Sequence, residues 1–176
     1  FVDFVNGGTK YIKTVLELGR LEFYSEKYAR LAREVIAAVR EGPGKIMVFH
    51  RRVHMSGVLL IQEILRMNGF ADEQSAPADP TLCAVCGTRR GDHAKPRPEG
   101  AARQHDYRPA RFVAVHSDVD HATMIRSIAK FNAPANREGY NFRVLIGSKV
   151  IQQAYNFRSV RRQFVMSFPV DYPTLL

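Results

Sequence analysis

Apolar residues occur along this chain in two alternating spacings. Helical spacing begins after Ser25, a favourable N-cap, and continues to Val39, before a stop at Gly42-Pro43-Gly44. The short apolar run Lys45–His50 follows, and its length and flanks predict a buried strand. Residues Val58–Asn68 are apolar on most sides and predict a second, well-buried helix.

The second half of the chain repeats this alternation. Arg111–His116 predicts a strand, and Asp118 or Asp120 is the expected cap of a third helix. Arg143–Ile146 and Gln163–Ser167 predict two more strands. Strands that alternate with helices indicate an α/β fold, in which a parallel sheet carries helices on both faces.

Such a sheet binds ligands at the carboxyl ends of its strands, so the residues that follow each strand are candidates for function. Gly147-Ser148-Lys149 is the strongest, because a strand ends there in glycine and a helix-like segment runs on to Tyr155. That arrangement offers backbone N–H groups and a helix dipole to a phosphate. The alternative is an ordinary strand-to-helix turn with a solvated lysine.

Other polar residues lie at equivalent places. Arg51 and Arg52 follow the first strand, and Ser56-Gly57 opens the second helix, where a plain N-cap is the alternative to a phosphate contact. The full set expected to contact nucleic acid or nucleotide is Arg51, Arg52, Ser56, Gly57, Ser117, Gly147, Ser148, Lys149 and Asn156.

The net charge supports a polyanionic partner. The chain has 26 Lys and Arg against 17 Asp and Glu, a formal charge of +9, and such a surplus is typical of nucleic-acid-binding proteins. A soluble protein that is basic for other reasons is the alternative. No apolar run is long enough to span a bilayer, so no membrane partner is expected.

Residues 71–110 differ from the rest in being rich in Pro, Ala, Asp and Arg, and predict an insertion that protrudes from the fold. Cys83 and Cys86 form a CxxC followed by glycine, and His93 and His105 complete a Cys₂His₂ set that suits zinc. The alternatives are a redox pair, which lacks a thioredoxin-like setting, and a disordered loop with two idle cysteines.

Three segments in order carry a resemblance to a known family. They are KIMVFHRRVHMSGVLLIQEILRMNGF, RFVAVHSDVDHATMIRSIAKFN and RVLIGSKVIQQAYNFRSVRRQFVMS. Together they resemble the C-terminal RecA-like domain of superfamily-2 helicases, with the last segment similar to helicase motif V. The resemblance runs from Tyr24 to the C-terminus and is closest to helicase-like NTPases and early transcription factors of large nucleocytoplasmic DNA viruses.

The resemblance implies a domain organisation and partners. Residues 1–24 are the expected lead-in from a preceding domain, and residues 25–176 are the RecA-like domain, cut before the final helicase motif. ATP with Mg would lie between this domain and an N-terminal RecA-like domain of the same protein, while nucleic acid, DNA or RNA, crosses both. Viral transcription machinery is a further expected partner, in the cytoplasm of an infected cell, in a viral factory or in a virion.

The expected activity is that of an ATP-dependent helicase or translocase in the full-length protein. The chain has no G-x-x-x-x-G-K-[ST] phosphate loop, so on its own it is predicted not to hydrolyse ATP. Gln153, Ala154 and Tyr155 also depart from the commoner motif V pattern. These departures leave an alternative, a helicase-like scaffold that binds nucleic acid or protein in a viral transcription complex without hydrolysis.

Overall fold

The structure is a computed structural model that describes residues 2–5, 8–11, 13–93, 95, 105–151 and 155–167. Its strands are β1 Val2–Val5, β2 Gly8–Tyr11, β3 Lys45–Phe49, β4 Phe112–Val115, β5 Val144–Gly147 and β6 Val160–Val165. Its α-helices are α1 Leu18–Tyr24, α2 Glu26–Arg40, α3 Val58–Met67, α4 Arg90–His93 and α5 His121–Asn132. Short 3₁₀ helices span Lys13–Leu16, Pro134–Asn136 and Lys149–Ile151.

The main sheet has four parallel strands in the order β4-β5-β3-β6. The last residue of β3, Phe49, is paired with both Gly147 of β5 and Val165 of β6, and Gly147 is also paired with Val115 of β4. All four carboxyl ends therefore lie at one edge of the sheet. β1 and β2 form a separate antiparallel hairpin.

Helices cover both faces of this sheet, as the alternating pattern predicts. Val144 and Ile146 of β5 pack on one face in a core with α2 and α3, while Leu145 packs on the other face with α5. Every residue of β5 is buried, because the strand is central and covered on both sides. The predicted α/β fold is confirmed.

Two predicted elements differ in the structure. The helix expected after Gly147 is one 3₁₀ turn, Lys149–Ile151, and residues 152–154 lie outside the described part of the chain. β6 begins at Val160, three residues earlier than the pattern predicts. The side chain of Asn132 accounts for the early start, because it bonds the Asn156 carbonyl (2.9 Å) and the Arg158 amide (3.0 Å) and so holds the chain that leads into β6.

The insertion does not simply protrude, which corrects that part of the sequence prediction. Leu82 and Ala84 are buried in the same core cluster as α2 and α3. Leu82 lies over Gly69, where a Cβ atom would come within 2.8 Å of the Leu82 Cγ. The described part of the insertion is therefore anchored to the main core by its own few apolar residues. Leu16 and Leu21, which precede α2 in the chain, are buried in this cluster too.

Asn136 organises the loop that leads into β5. Its buried side chain donates to the carbonyls of Phe131 and Phe142, both at 3.0 Å, and accepts from the amides of Asn141 and Phe142 at 3.0 and 2.9 Å. One side chain thus satisfies four backbone groups, two of them in the residue that precedes Arg143 and β5.

Replacing this side chain should therefore destabilise the protein. We expect Asn136→Ala to lower the free energy of unfolding by about 2–4 kcal/mol, because it leaves buried backbone groups without partners. Urea denaturation would measure the loss. Asn141→Ala is the matched control, since that exposed amide makes a single side-chain bond of 3.3 Å to Ala135, and its effect should stay within about 0.5 kcal/mol. Equal losses in the two variants would contradict this role of Asn136.

Candidate nucleic-acid interface and metal centre

Backbone hydrogen bonds link the chain segments that leave the carboxyl ends of the strands. The His50 amide donates to the Gly147 carbonyl (3.0 Å), the Ser148 amide to the Val115 carbonyl (3.0 Å) and the Met166 amide to the Phe49 carbonyl (2.8 Å). Each bond extends the parallel ladder by one residue beyond the strands. The candidate loops therefore start side by side from a rigid edge.

The loop after β3 exposes two arginines and closes tightly on itself. Arg51 and Arg52 are exposed, and the Arg51 amide donates to the Ser167 Oγ at 2.7 Å. The amides of Val58 and Leu59, in the first turn of α3, donate to the carbonyls of Arg52 and Val53, both at 3.0 Å. These helix N–H groups are thus engaged within the loop, and the arginine side chains are what the loop presents to a partner.

Ser56 and Gly57 shape this turn. The half-buried Ser56 accepts a hydrogen bond at its carbonyl from the Tyr28 hydroxyl. Gly57 is the N-cap of α3, and a Cβ atom there would lie 2.1 Å from the Arg52 carbonyl oxygen. Since that contact is with backbone, only glycine fits, and the described contacts of both residues are structural.

The turn after β5 is also closely packed. Gly147 and Ser148 are buried, and the Ser148 amide is engaged by Val115. A Cβ atom at Gly147 would lie 2.1 Å from the Ile151 Cδ1, so the glycine makes room for that side chain. Lys149 is exposed and, among the described residues, has no carboxylate in ion-pair range. Lys149 is the group that this turn offers to a polyanion.

A side-chain contact joins the loops after β3 and β4. The His54 Nε2 lies 3.0 Å from the Asp118 Oδ2, and the exposed Ser117 hydroxyl donates to the Asp118 Oδ1 at 3.3 Å. His54 and Asp118 belong to different loops that are far apart in the chain. Their pairing depends on tertiary structure and has no signal in local spacing. Asp120, not Asp118, caps α5, accepting from the Thr123 amide at 2.9 Å.

Two buried histidines lie beneath these loops. His116 is 6% exposed; its Nε2 is 3.5 Å from the Gln62 Nε2, and its Nδ1 has no hydrogen-bond partner among the described residues. Burial lowers the pKa of His116, although nearby Asp118 opposes the shift. Burial likewise lowers the pKa of His50, whose Nδ1 accepts from the Arg52 amide at 3.1 Å in one tautomer. Both rings are therefore neutral at pH 7.

Asn156 does not join the other candidate residues. Its carbonyl is held by Asn132, at the carboxyl end of α5. That helix starts after β4 at the carboxyl edge and crosses the sheet, and the carbonyl of Phe131 near its end accepts from the Nζ of Lys45, the first residue of β3, at 2.8 Å. Asn156 thus lies toward the amino edge. Gln153 and Ala154 lie outside the described residues.

The insertion brings together the four predicted metal ligands. The ligand atoms of Cys83, Cys86, His93 and His105 all lie within 4.8 Å of one another. The Cys83 Sγ is 3.4 Å from the His105 Nε2, which is 3.2 Å from the His93 Nε2. Tetrahedral zinc places a sulfur and a nitrogen ligand about 3.5 Å apart and two nitrogens about 3.3 Å apart. The residues present therefore fit a zinc ion.

Local structure prepares this site. The Gly87 amide donates to the Cys83 carbonyl and the Cys83 amide to the Thr88 carbonyl, both at 2.8 Å. Gly87 has a φ of +68°, which suits glycine in a tight knuckle. An antiparallel bridge between Cys83 and Pro109 brings the His105 segment alongside. In the described part of the insertion, the two cysteines thus lie in an ordered turn beside both histidines.

The chain is similar in sequence to several proteins of large DNA viruses. No protein-family model matches it. It is 41% identical, over 172 residues and 98% of its length, to the early transcription factor large subunit homolog of African swine fever virus, of which it covers 15%. It is 25% identical, over 83% of its length, to the "Putative ATP-dependent RNA helicase L377" of Acanthamoeba polyphaga mimivirus, of which it covers 14%.

A third relative agrees with these two. The chain is 24% identical, over 84% of its length, to the "Putative helicase 087L" of Invertebrate iridescent virus 3, of which it covers 12%. The chain thus spans about one seventh of the length of the curated relatives it matches. Among the described residues, no helix has both the length and the apolar character needed to cross a membrane.

The buried histidines predict how stability depends on pH. The unfolded chain binds a proton at each histidine near the ordinary pKa of 6.5, whereas the folded pKa of His116 is lower. The stabilising contribution is therefore complete above pH 6.5 and is lost as pH falls from there toward the folded pKa. Urea denaturation between pH 7.5 and 5.5 should show a smaller loss of stability in His116→Gln than in the unmodified chain. Exposed His121→Gln is the control and should keep the original slope; identical slopes in all three proteins would contradict the argument.

Proposed function

The chain is homologous to early transcription factor large subunit homologs and helicases of large DNA viruses, and we propose that it is the second motor domain of a viral ATP-dependent helicase or translocase. The domain would comprise residues 25–176, with residues 1–24 as a lead-in that packs on it through Leu16 and Leu21. The observation that carries the proposal is the shared carboxyl edge of β3 and β5, where exposed Arg51, Arg52 and Lys149 leave adjacent strands.

Nucleic acid would bind across this edge by its phosphates. The amides of Val58, Leu59 and Ser148 are engaged inside the protein, so the exposed cationic side chains of these loops are the proposed contacts. Such contacts set the position of a strand and give affinity that depends on salt, with little sequence preference. Ser117 lies on the next loop and would be a neutral hydrogen-bonding group at the margin.

ATP with Mg would require a second domain. The amides of Ser148, Val58 and Leu59 bond to protein carbonyls and are not available to a phosphate, and the sequence has no phosphate loop. Lys149 could face a nucleotide held mainly by an N-terminal RecA-like domain of the same protein. We assign no catalytic step to the residues of this chain.

The second candidate is a helicase-like scaffold that binds nucleic acid or protein in a viral transcription complex without hydrolysis. The transcription-factor name of the 41% identical relative and the unusual Gln153-Ala154-Tyr155 favour it. The two candidates differ in one measurement on the full-length protein. ATP hydrolysis stimulated by nucleic acid supports the motor, whereas nucleic-acid binding without hydrolysis supports the scaffold.

A zinc ion bound by Cys83, Cys86, His93 and His105 would have a structural role. Four protein ligands close a tetrahedral site and leave no position for a substrate. The ion would join the knuckle, α4 and the segment after residue 104, in an insertion with few apolar residues. The viral relatives support a protein that acts in infected cells, and we place its action in the cytoplasm, in a viral factory or virion, with the transcription machinery as partner.

Removing a charge at the carboxyl edge should weaken nucleic-acid binding. We expect Lys149→Gln and Arg51→Gln each to weaken binding of a single-stranded oligonucleotide severalfold at low salt, and to reduce the slope of log K against log salt by about 0.7 per lost phosphate contact. Fluorescence anisotropy with DNA and RNA of the same sequence would measure both quantities. Arg20→Gln on α1 removes the same charge from an exposed site elsewhere and is the control. Equal effects at Arg20 and Lys149 would show that binding reflects net charge alone.

Loss of the metal ligands should remove zinc and loosen the insertion. The purified chain should hold about one zinc ion by elemental analysis, and Cys86→Ser or His105→Gln should abolish zinc retention and lower Tm, because metal binding supplies folding free energy. His121→Gln removes an exposed histidine outside the cluster and should leave both quantities unchanged. If protein that was expressed with ample zinc and never treated with a chelator contains no metal, the zinc site is refuted.

A further inference from the structure

A small pocket lies at the opposite edge of the sheet from the carboxyl-edge loops. It has a volume of about 100 Å³ and lies where the end of α2 and the loop Gly42-Pro43-Gly44 meet the start of β6. Arg143, Arg161 and Arg162 line it together with one carboxylate, Glu41. The pocket shares none of its lining residues with the proposed nucleic-acid face or the metal centre.

Arg143 is a buried cation that has no carboxylate partner in the part of the chain that the structure describes. It is 1% exposed, and its guanidinium donates from Nη2 to the carbonyls of Ala38 (2.7 Å) and Gly42 and from Nη1 to that of Glu138 (3.3 Å). Its Nε is buried with no hydrogen-bond partner among the described residues. Burial lowers the pKa of Arg143 to about 10, and Arg161 and Arg162 add to that shift, so the group still carries its charge at pH 7.

The two arginines of β6 add more positive charge than the single carboxylate of the pocket, Glu41, can neutralise. Arg161 donates from Nη1 to the Pro43 carbonyl at 3.0 Å, and its side chain lies against Gly44, where a Cβ atom would be 2.4 Å from the Arg161 Cδ. Arg162 forms an ion pair with Glu41. Lys45 also lines the pocket, but its Nζ bonds to the Phe131 carbonyl. Three guanidinium groups thus face one carboxylate.

We propose that this pocket binds a phosphate-class oxyanion. A bidentate or bridging oxyanion would suit closely spaced guanidinium groups, and it would compensate a buried positive charge that carbonyl dipoles only partly offset. A volume of about 100 Å³ accommodates a single phosphate group. If Arg143 only connected the end of α2 to the sheet, this structural role would not require Arg161 and Arg162 beside it.

The test is the response of the 176-residue chain to inorganic phosphate at constant ionic strength, with chloride as the reference salt. At phosphate tenfold above its Kd, we expect Tm to rise by about 3–6 °C, because the anion binds only the folded state. Arg161→Gln should lose this rise, since Arg161 is exposed and its replacement leaves the core intact. Arg126→Gln removes an exposed arginine from α5 and should keep it. Arg143→Met, if folded, should also lose the response.

A competition experiment distinguishes the two sources of phosphate. If a single-stranded oligonucleotide displaces inorganic phosphate, and Arg161→Gln weakens oligonucleotide binding more than Arg126→Gln does, the ligand is a backbone phosphate. If the oligonucleotide binds without displacing phosphate, the ligand is a free oxyanion. A Tm in phosphate equal to that in chloride, or a full phosphate response in Arg161→Gln, would overturn the proposal. Neither result bears on Lys149 or Arg51, so the proposed function is tested separately.

Discussion

The parallel pairing of β3 with both β5 and β6 is the constraint on which the rest of the structure depends. Phe49 is in register with Gly147 and Val165, so the three strands end at the same level of the sheet. Hydrogen bonds from His50 and Met166 then extend the ladder into the loops. In a parallel sheet, the amino ends of all strands lie on one side and the carboxyl ends on the opposite side. Loops with exposed cations therefore collect at the carboxyl edge, whereas the end of α2 and the start of β6 meet at the amino edge.

The charge of +9 has different physical roles at these edges. Arg51, Arg52 and Lys149 are exposed and can follow a flexible polyanion. Arg143 instead is buried and rigidly bonded to backbone carbonyls, which suits one small anion of fixed shape. The Cys83-Cys86-His93-His105 cluster forms a third unit that is joined to the same core through Leu82. In the homologous viral proteins, each about seven times as long as the part matched, such a domain would be one element of a larger assembly.

The sequence was sufficient to predict the parallel sheet and to single out the four Cys and His side chains that the fold brings together, because apolar periodicity and Cys/His spacing are local signals. It could not show that Ile151 fills the space beside Gly147, or that Arg52 and Val53 use the first amides of α3, since these contacts depend on how the loops close. The position of Asn156 depends on a hydrogen bond from the side chain of Asn132, which lies at the end of α5, the helix that crosses the sheet. Leu82 is not part of a periodic apolar pattern, so the packing of the insertion on the core could not be predicted from the sequence.

An NMR titration of the ¹⁵N-labelled chain with a short single-stranded oligonucleotide would show whether nucleic acid binds at the carboxyl edge. Amide shifts should concentrate in the loops after β3 and β5, around Arg51, Arg52 and Lys149, and weaken as salt is raised. Shifts spread evenly over the exposed basic residues, or confined to α1 and α5, would contradict binding at this edge.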